Sequence, residues 1–200
     1  MKNSRIAYFD ELAHKWDSWH EPDLTVKRLI PSLRAFDIRE GERLLDVGCG
    51  TGNLTMALVH LAPTAVIHAI DISSNMITIA KAKIKDVHVT WHVADASLLP
   101  LSNGTVDRIF CYSVWPHFDD KAAVAQEFCR VLKPQGLLYV WHHGTRERIN
   151  SIHAMSDISV RGDMLSSAQE TALLLESFGF AVLKSQETDS EYCVIAKAQG

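Results

Sequence analysis

The sequence predicts an α/β fold built on a largely parallel sheet that ends in an antiparallel hairpin. Three observations lead there. Short strand-like apolar runs alternate with helix-length stretches through the middle of the chain, the pattern of β-α-β units. A loop with three glycines, Gly48, Gly50 and Gly52, follows the first of those runs, where a strand would turn into a helix at the carboxyl edge of such a sheet. The last two runs are separated only by Asp189-Ser190-Glu191, whereas a parallel crossover needs roughly a dozen residues.

Along the chain, Phe9, Leu12, Trp16 and Trp19 recur at intervals of three and four, which predicts an N-terminal helix with one apolar face. A second helix is expected from about Asp23 to Ala35, kinked or divided by Pro31. Strands are expected at 43–47, 65–70, 88–93, 108–113 and 137–141, with helices at 53–61, 74–84 and 121–132. Lys133-Pro134-Gln135-Gly136 supplies a helix stop and a turn before the fifth strand. Ser166 or Ser167 would cap a helix running to about Phe178, which Gly179 ends. A hairpin of 180–188 and 192–198 closes the chain.

At 200 residues a single domain spanning 1–200 is expected. It would carry a helical cover (1–40), a cofactor-binding core (43–142), a lid (144–165) and a terminal helix with hairpin (166–200). A net charge of −4 with scattered basic residues argues against nucleic acid or an anionic membrane as the general partner. The four cysteines are far apart and form no C-x-x-C pair, so neither a disulfide framework nor a cysteine zinc site is expected. No apolar run reaches 18 residues and the first twenty have no leader pattern, so a reduced, cytoplasmic setting is expected. A monomer and a homodimer fit equally well.

The loop LLDVGCGTG (44–52) carries the first chemical signal. Glycines let backbone approach a ligand that a Cβ would exclude; the alternative is a tight turn with no ligand. The second signal is Asp71, in AIDIS, 19 residues beyond Gly52, the offset at which an acid reaches a ribose diol. Taken alone, Asp71 would equally cap the following helix. The third is Asp95 in VADA: an acid beside a backbone N–H can pair with an adenine edge, although acids after strands are also common in loops. Ile72 and Met76 would supply apolar contact to the base. Three successive strands thus end in a polar group at one sheet edge.

These stretches, together with VADASLLPL, DRIFCYSVWPHFDD and RVLKPQGLLYV, resemble the successive motifs of class I S-adenosylmethionine-dependent methyltransferases. The small group that includes the ubiquinone/menaquinone C-methyltransferases is most similar. The resemblance runs from Arg43 to Trp141. It implies a Rossmann-like, doubly wound seven-stranded sheet of order 3-2-1-4-5-7-6 with strand 7 antiparallel. It also implies S-adenosyl-L-methionine as cofactor and S-adenosyl-L-homocysteine as product. By position, Gly48, Cys49, Gly50 and Gly52 would line the methionine and ribose portion. Asp46 would orient the loop or the amino group, Asp71 would bind the ribose, Asp95 and Ala96 the adenine, and Tyr112 would lie beside the cofactor. The chain departs from the family's Lys-Pro-Gly-Gly turn by having Gln135 at its third position.

A general base is needed only if the acceptor loses a proton, and histidine suits that task near neutral pH. His117 after the fourth strand and His143 after the fifth are the candidates, with Tyr8 on the covering helix as an aromatic reaching the site. His117 would alternatively be a loop histidine bonded to backbone. His142 and His143 must point to opposite faces if they lie on a strand, so at most one faces the pocket. A metal held by His117, His153 and one of that pair is a lesser alternative, and no metal is expected. The acceptor would be a small molecule, since neither a basic face nor an added domain is visible. A nicotinamide-dependent oxidoreductase is disfavoured because the loop is not G-x-G-x-x-G. A cofactor-binding protein without transfer activity is the other reading.

Overall fold

The computed structural model describes residues 2–199. Helices α1 (Lys2–Trp19) and α2 (Pro22–Ala35) precede β1 (Arg43–Val47), α3 (Asn53–Leu61), β2 (Val66–Asp71), α4 (Ser74–Lys83), β3 (Val89–Val93) and β4 (Val106–Tyr112). Then come α5 (Lys121–Val131), β5 (Leu132–His143), α6 (Arg146–Ala154), α7 (Ala168–Ser177), β6 (Phe180–Glu187) and β7 (Glu191–Ala198). The strands form one sheet of order β3-β2-β1-β4-β5-β7-β6. The first five strands pair in parallel, and β7 runs antiparallel to both β5 and β6. The fold is therefore the Rossmann-like, doubly wound sheet that the motifs imply.

Side-chain alternation along the strands divides the core into two layers. Leu45, Val47, Val140 and Val194 pack against α5 and α7 through Val124, Phe128 and Leu175. Leu44, Phe110, Tyr139 and Trp141 pack against α2 and α3 through Leu29, Leu33, Leu54 and Leu58. Strand order reverses between β1 and β4, which leaves a crevice at their carboxyl ends.

Three local expectations change. Helix α2 is not divided: Pro31 sits inside it on the exposed side, where the carbonyl left without an N–H partner faces water. On α1, Trp19 is 58% exposed. The inward stripe there is Arg5, Phe9, Ala13 and Trp16, spacings of four, four and three that include a buried arginine. Strand β5 begins at Leu132 rather than near Leu137, with a register shift against Val106 and Arg108 absorbing the turn.

In that irregular segment Gln135 has φ +68°, the left-handed region that costs an L-residue about 1 kcal/mol or more. Gln135 is exposed, so nothing in the core depends on its side chain. Gln135→Gly is expected to stabilise the protein by about 1 kcal/mol, or roughly 2–4 °C in thermal midpoint at this chain length. A lowered midpoint in calorimetry would refute this. Among the described residues no helix is long and apolar enough to cross a membrane.

Candidate functional site

A cavity of about 310 Å3 fills the crevice at the ends of β1 to β4, at the small end of the roughly 300–1,000 Å3 of ligand pockets. Seven of the residues read from the motifs line it: Gly48, Gly50, Asp71, Ile72, Met76, Asp95 and Ala96. Helix α1 covers it with Arg5, Phe9 and Trp16, and the segment after β4 contributes Ser113, Val114, His117 and Phe118. Four carboxylates (Asp71, Asp95, Asp119 and Asp120) border it against one arginine. That arginine is already paired with Asp163 and Asp119, so the cavity favours a cationic ligand.

The three loop glycines do different work. Gly50 faces the cavity, and a Cβ there would meet only Trp16 Nε1, 3.7 Å away. Gly48 also borders the cavity, but its Cβ would strike Val114 Cγ2 at 2.2 Å. Gly52 lies behind the loop: a Cβ on it would meet Ile84 Cδ1 at 2.9 Å, with Ala80 and Trp91 at 3.2 Å. Gly52, which the motif would place against the cofactor, does not line this cavity and packs on α4 and β3 beneath the loop. Cys49 is likewise outside the cavity, buried, with its N–H donating to the Ile70 carbonyl.

Asp71 ends β2 and ties the loop to the sheet edge. Its two carboxylate oxygens accept from the Gly50 and Ser73 backbone N–H groups, each at 2.8 Å. Burial raises its pKa to about 6; those two bonds oppose the shift and the Asp10 charge adds to it. Asp46 is fully buried in β1 beneath the loop, where it accepts from Thr55 Oγ1 at 2.6 Å. Burial takes its pKa to about 7. It props the start of α3 and does not reach the cavity. Asp95 accepts from both the N–H and the hydroxyl of Ser97 at 2.8 Å, which folds the turn after β3.

Helix α1 is fastened over this site by polar contacts at intervals along its length. Arg5 reaches Asp163 and Asp119. Asp10 accepts from Ser73 Oγ and from the Asn75 N–H. Asp17 accepts from Thr51 Oγ1 at 2.5 Å and pairs with Lys83 at 2.9 Å. Phe9 and Trp16, between these ties, form the roof.

At the far end of the cavity the chain leaves β4 through Ser113, whose φ of +56° is unusual for a residue with a Cβ. A single 3-10 turn, Trp115–His117, follows, anchored by the fully buried Trp115. His117 therefore projects at a fixed point. Its Nδ1 lies 2.7 Å from Asp163 Oδ2, and its ring packs edge-on to Phe9. The bond goes to a carboxylate, not to backbone as the loop reading of His117 had it. Burial lowers the His117 pKa, with Asp163 opposing and His153 and Arg5 adding to the fall.

The other two catalytic candidates and Tyr112 lie elsewhere. His143 points to the opposite face of the sheet, where its Nδ1 meets Tyr112 Oη at 3.1 Å and its ring contacts Trp141. The histidine facing His117 is His142, fully buried, because alternation along β5 sends the pair apart. Tyr8 turns away to hydrogen-bond with Ser156, and its neighbour Phe9 takes the place at the cavity. Motif reading missed Arg5 and Asp163. Arg5 left a trace as a cation in an apolar stripe; Asp163, in a loop 46 residues beyond His117, left none.

The bare Gly50 backbone, the Asp71 carboxylate and the acidic border together fit S-adenosylmethionine, which carries an ammonium and a sulfonium charge. Comparison with known proteins agrees. Residues 45–140 match the model of the methyltransferase domain family. Malonyl-[acyl-carrier protein] O-methyltransferase of Hahella chejuensis is 41% identical over 102 residues, 50% of this chain and 37% of that protein. Demethylmenaquinone methyltransferase of Anoxybacillus flavithermus is 30% identical over 144 residues, 68% of this chain and 60% of that one. The chain spans between about a third and three fifths of the length of the relatives it matches. In fold, it is similar to a chain from the Haloferax volcanii complex of the Trm112 methyltransferase activator with a methyltransferase (TM-score 0.75, 19% identity, 96% and 98% covered). A SAM-dependent methyltransferase from Aquifex aeolicus gives TM-score 0.68 at 23% identity, with 88% and 97% covered. The chain belongs to the class I S-adenosylmethionine-dependent methyltransferase family.

Proposed function

We propose that this protein moves a methyl group from S-adenosylmethionine to a small-molecule acceptor by in-line displacement. The observation that carries the reading is one continuous cavity with the motif carboxylates at one end and a carboxylate-bound histidine, His117, at the other. When bound, the cofactor supplies a methyl on a sulfonium, already activated for displacement. The protein's task is then alignment and exclusion of water, and alignment of this kind is worth roughly 7–11 kcal/mol.

Asp71 holds the ribose hydroxyls, Asp95 and the Ala96 N–H address the adenine edge, and Ile72 and Met76 pack against the base. Gly50 lets the amino-acid portion lie on the loop, whose base Asp46 supports. Phe9, Trp16 and Phe118 wall the reacting end against solvent, with residues 144–165 as the lid beside it. The acidic border and the small enclosed volume support a small acceptor over a polymer.

The test is incubation with methyl-labelled S-adenosylmethionine and pooled metabolites. Labelled product and S-adenosylhomocysteine are expected in equal amounts. Cofactor binding with no labelled product from any pool would favour a binding protein without transfer activity.

A further inference from the structure

The relatives carry names for O-, N- and C-methylation, so likeness does not choose the acceptor atom; the His117 end of the cavity does. We infer that His117 is a general base positioned by Asp163, which Arg5 holds in place, and that the acceptor is a nucleophile that gives up a proton when methylated. This rests on reading the cavity as a methyl-transfer site.

Asp163 is 6% exposed and accepts from three directions. Arg5 grips it with Nε on Oδ2 at 3.2 Å and Nη2 on Oδ1 at 2.6 Å, and His117 Nδ1 lies 2.7 Å from Oδ2. Burial alone would raise this carboxyl, but the bonds from His117 and Arg5 outweigh it and hold it below its ordinary pKa. An ionised carboxylate only accepts, so the proton on His117 must be at Nδ1. Nε2 then keeps its lone pair, on a residue that lines the cavity. The Asp163 backbone carbonyl takes the same bond from His153 Nδ1, and the His153 ring packs 4.8 Å from that of His117. One residue thereby sets the tautomer of both rings.

The groups facing His117 are Asp163 and His153 from the α6 side, Arg5 from α1 and His142 from β5. Only Asp163 favours the imidazolium. The ring is neutral before reaction, ready to take a proton, and the carboxylate stabilises the charge once it has done so. The balance follows. The electron pair of the acceptor's bond to hydrogen forms the new bond to the methyl carbon. The carbon–sulfur pair stays on sulfur, and the proton goes to His117 Nε2. An acceptor atom without a proton, such as a tertiary amine or a thioether, has no use for this base. A carbon acid, enol, phenol or thiol does.

The test begins with the full chain labelled at histidine nitrogen, its His117 signals identified by their loss in His117→Gln. Nuclear magnetic resonance should find Nδ1 protonated and Nε2 bare at pH 7, with titration below the usual range for histidine. In Asp163→Asn that preference for Nδ1–H should be lost, and in Asp163→Glu it should be kept. A proton on Nε2 in the unsubstituted chain would overturn the inference even if neither variant folds. So would a tautomer indifferent to Asp163→Asn. The spectra need neither cofactor nor acceptor, so their failure is separate from a failure of methyl transfer. The labelled product supplies the second readout: the methyl should sit on an atom that lost a proton, and a sulfonium or a quaternary ammonium product would overturn the assignment.

Discussion

Asp71→Asn is expected to weaken S-adenosylhomocysteine binding by at least about tenfold, since bonds to a charged acceptor are worth roughly 1.5–3 kcal/mol. A carboxylate offers about four acceptor sites, and the backbone N–H groups of Gly50, Ser73 and Ile72 draw on three of them. Asp71 borders the cavity, so the remaining site is available to a ribose diol. Asparagine keeps an acceptor for one of those N–H groups while removing the charge, so the loop should hold and affinity should fall. Unchanged affinity in titration calorimetry would move the ribose to another group.

The same residue predicts a pH dependence of opposite sign for binding and for folding. Burial raises Asp71 to about 6 and Asp46 to about 7 from the ordinary 3.8 of an aspartate. Both folded carboxyls therefore bind protons more tightly than the unfolded chain. Their contribution to stability is fully present below about pH 3.8 and is lost as pH rises through 6 and 7. Protonation of Asp71 in the same range removes the charged acceptor. Between pH 8 and pH 5.5 the thermal midpoint of the ligand-free protein should gain from these two groups, while cofactor affinity falls. Affinity that rises on acidification would contradict the assignment.

Gly48→Ala should destabilise the fold by about 3 kcal/mol, a thermal midpoint lower by roughly 6–12 °C. The added Cβ would lie 2.2 Å from Val114 Cγ2 and 2.6 Å from its Cβ, at φ +67°. Neither atom is the loose end of a flexible side chain. Val114 precedes the turn that carries His117, so a shift there moves the reacting end of the cavity as well. Gly50→Ala meets only Trp16 at 3.7 Å, so its cost lies in the left-handed backbone and in the cofactor space. It should lose cofactor affinity with a smaller loss of stability. Equal thermal midpoints for the two variants would mean that Val114 yields without cost.

Much of the cavity lining at the ends of β1 to β3 was legible because it is local. A glycine loop after a strand and acids at the ends of the next two strands are set by short-range spacing, and the parallel sheet brings strand ends together without further information. The motif residues that lie off the cavity are placed by direction rather than spacing. Gly52 shares the motif with Gly50, yet its backbone turns toward α4. Tyr8 and Phe9 are adjacent, and the helix rotates only the second into the cavity. His142 and His143 were expected to separate, but no sequence pattern sets which one shares a face with His117.

The acceptor end was barely legible for a related reason. His117, Asp163 and Arg5 come from a turn, a loop and the first helix, and Arg5 lies 158 residues from Asp163. No periodicity links positions so far apart, and each residue alone is ordinary. By itself the sequence determined the α/β fold, the strand ends that meet one cofactor and the acids placed there, since hydrophobic alternation and turn chemistry act over a few residues. Only the tertiary structure decided which glycine borders the cavity, which histidine lines it and which carboxylate holds that histidine. Those outcomes depend on how distant segments pack, and a buried arginine and histidine at one place require an acid between them.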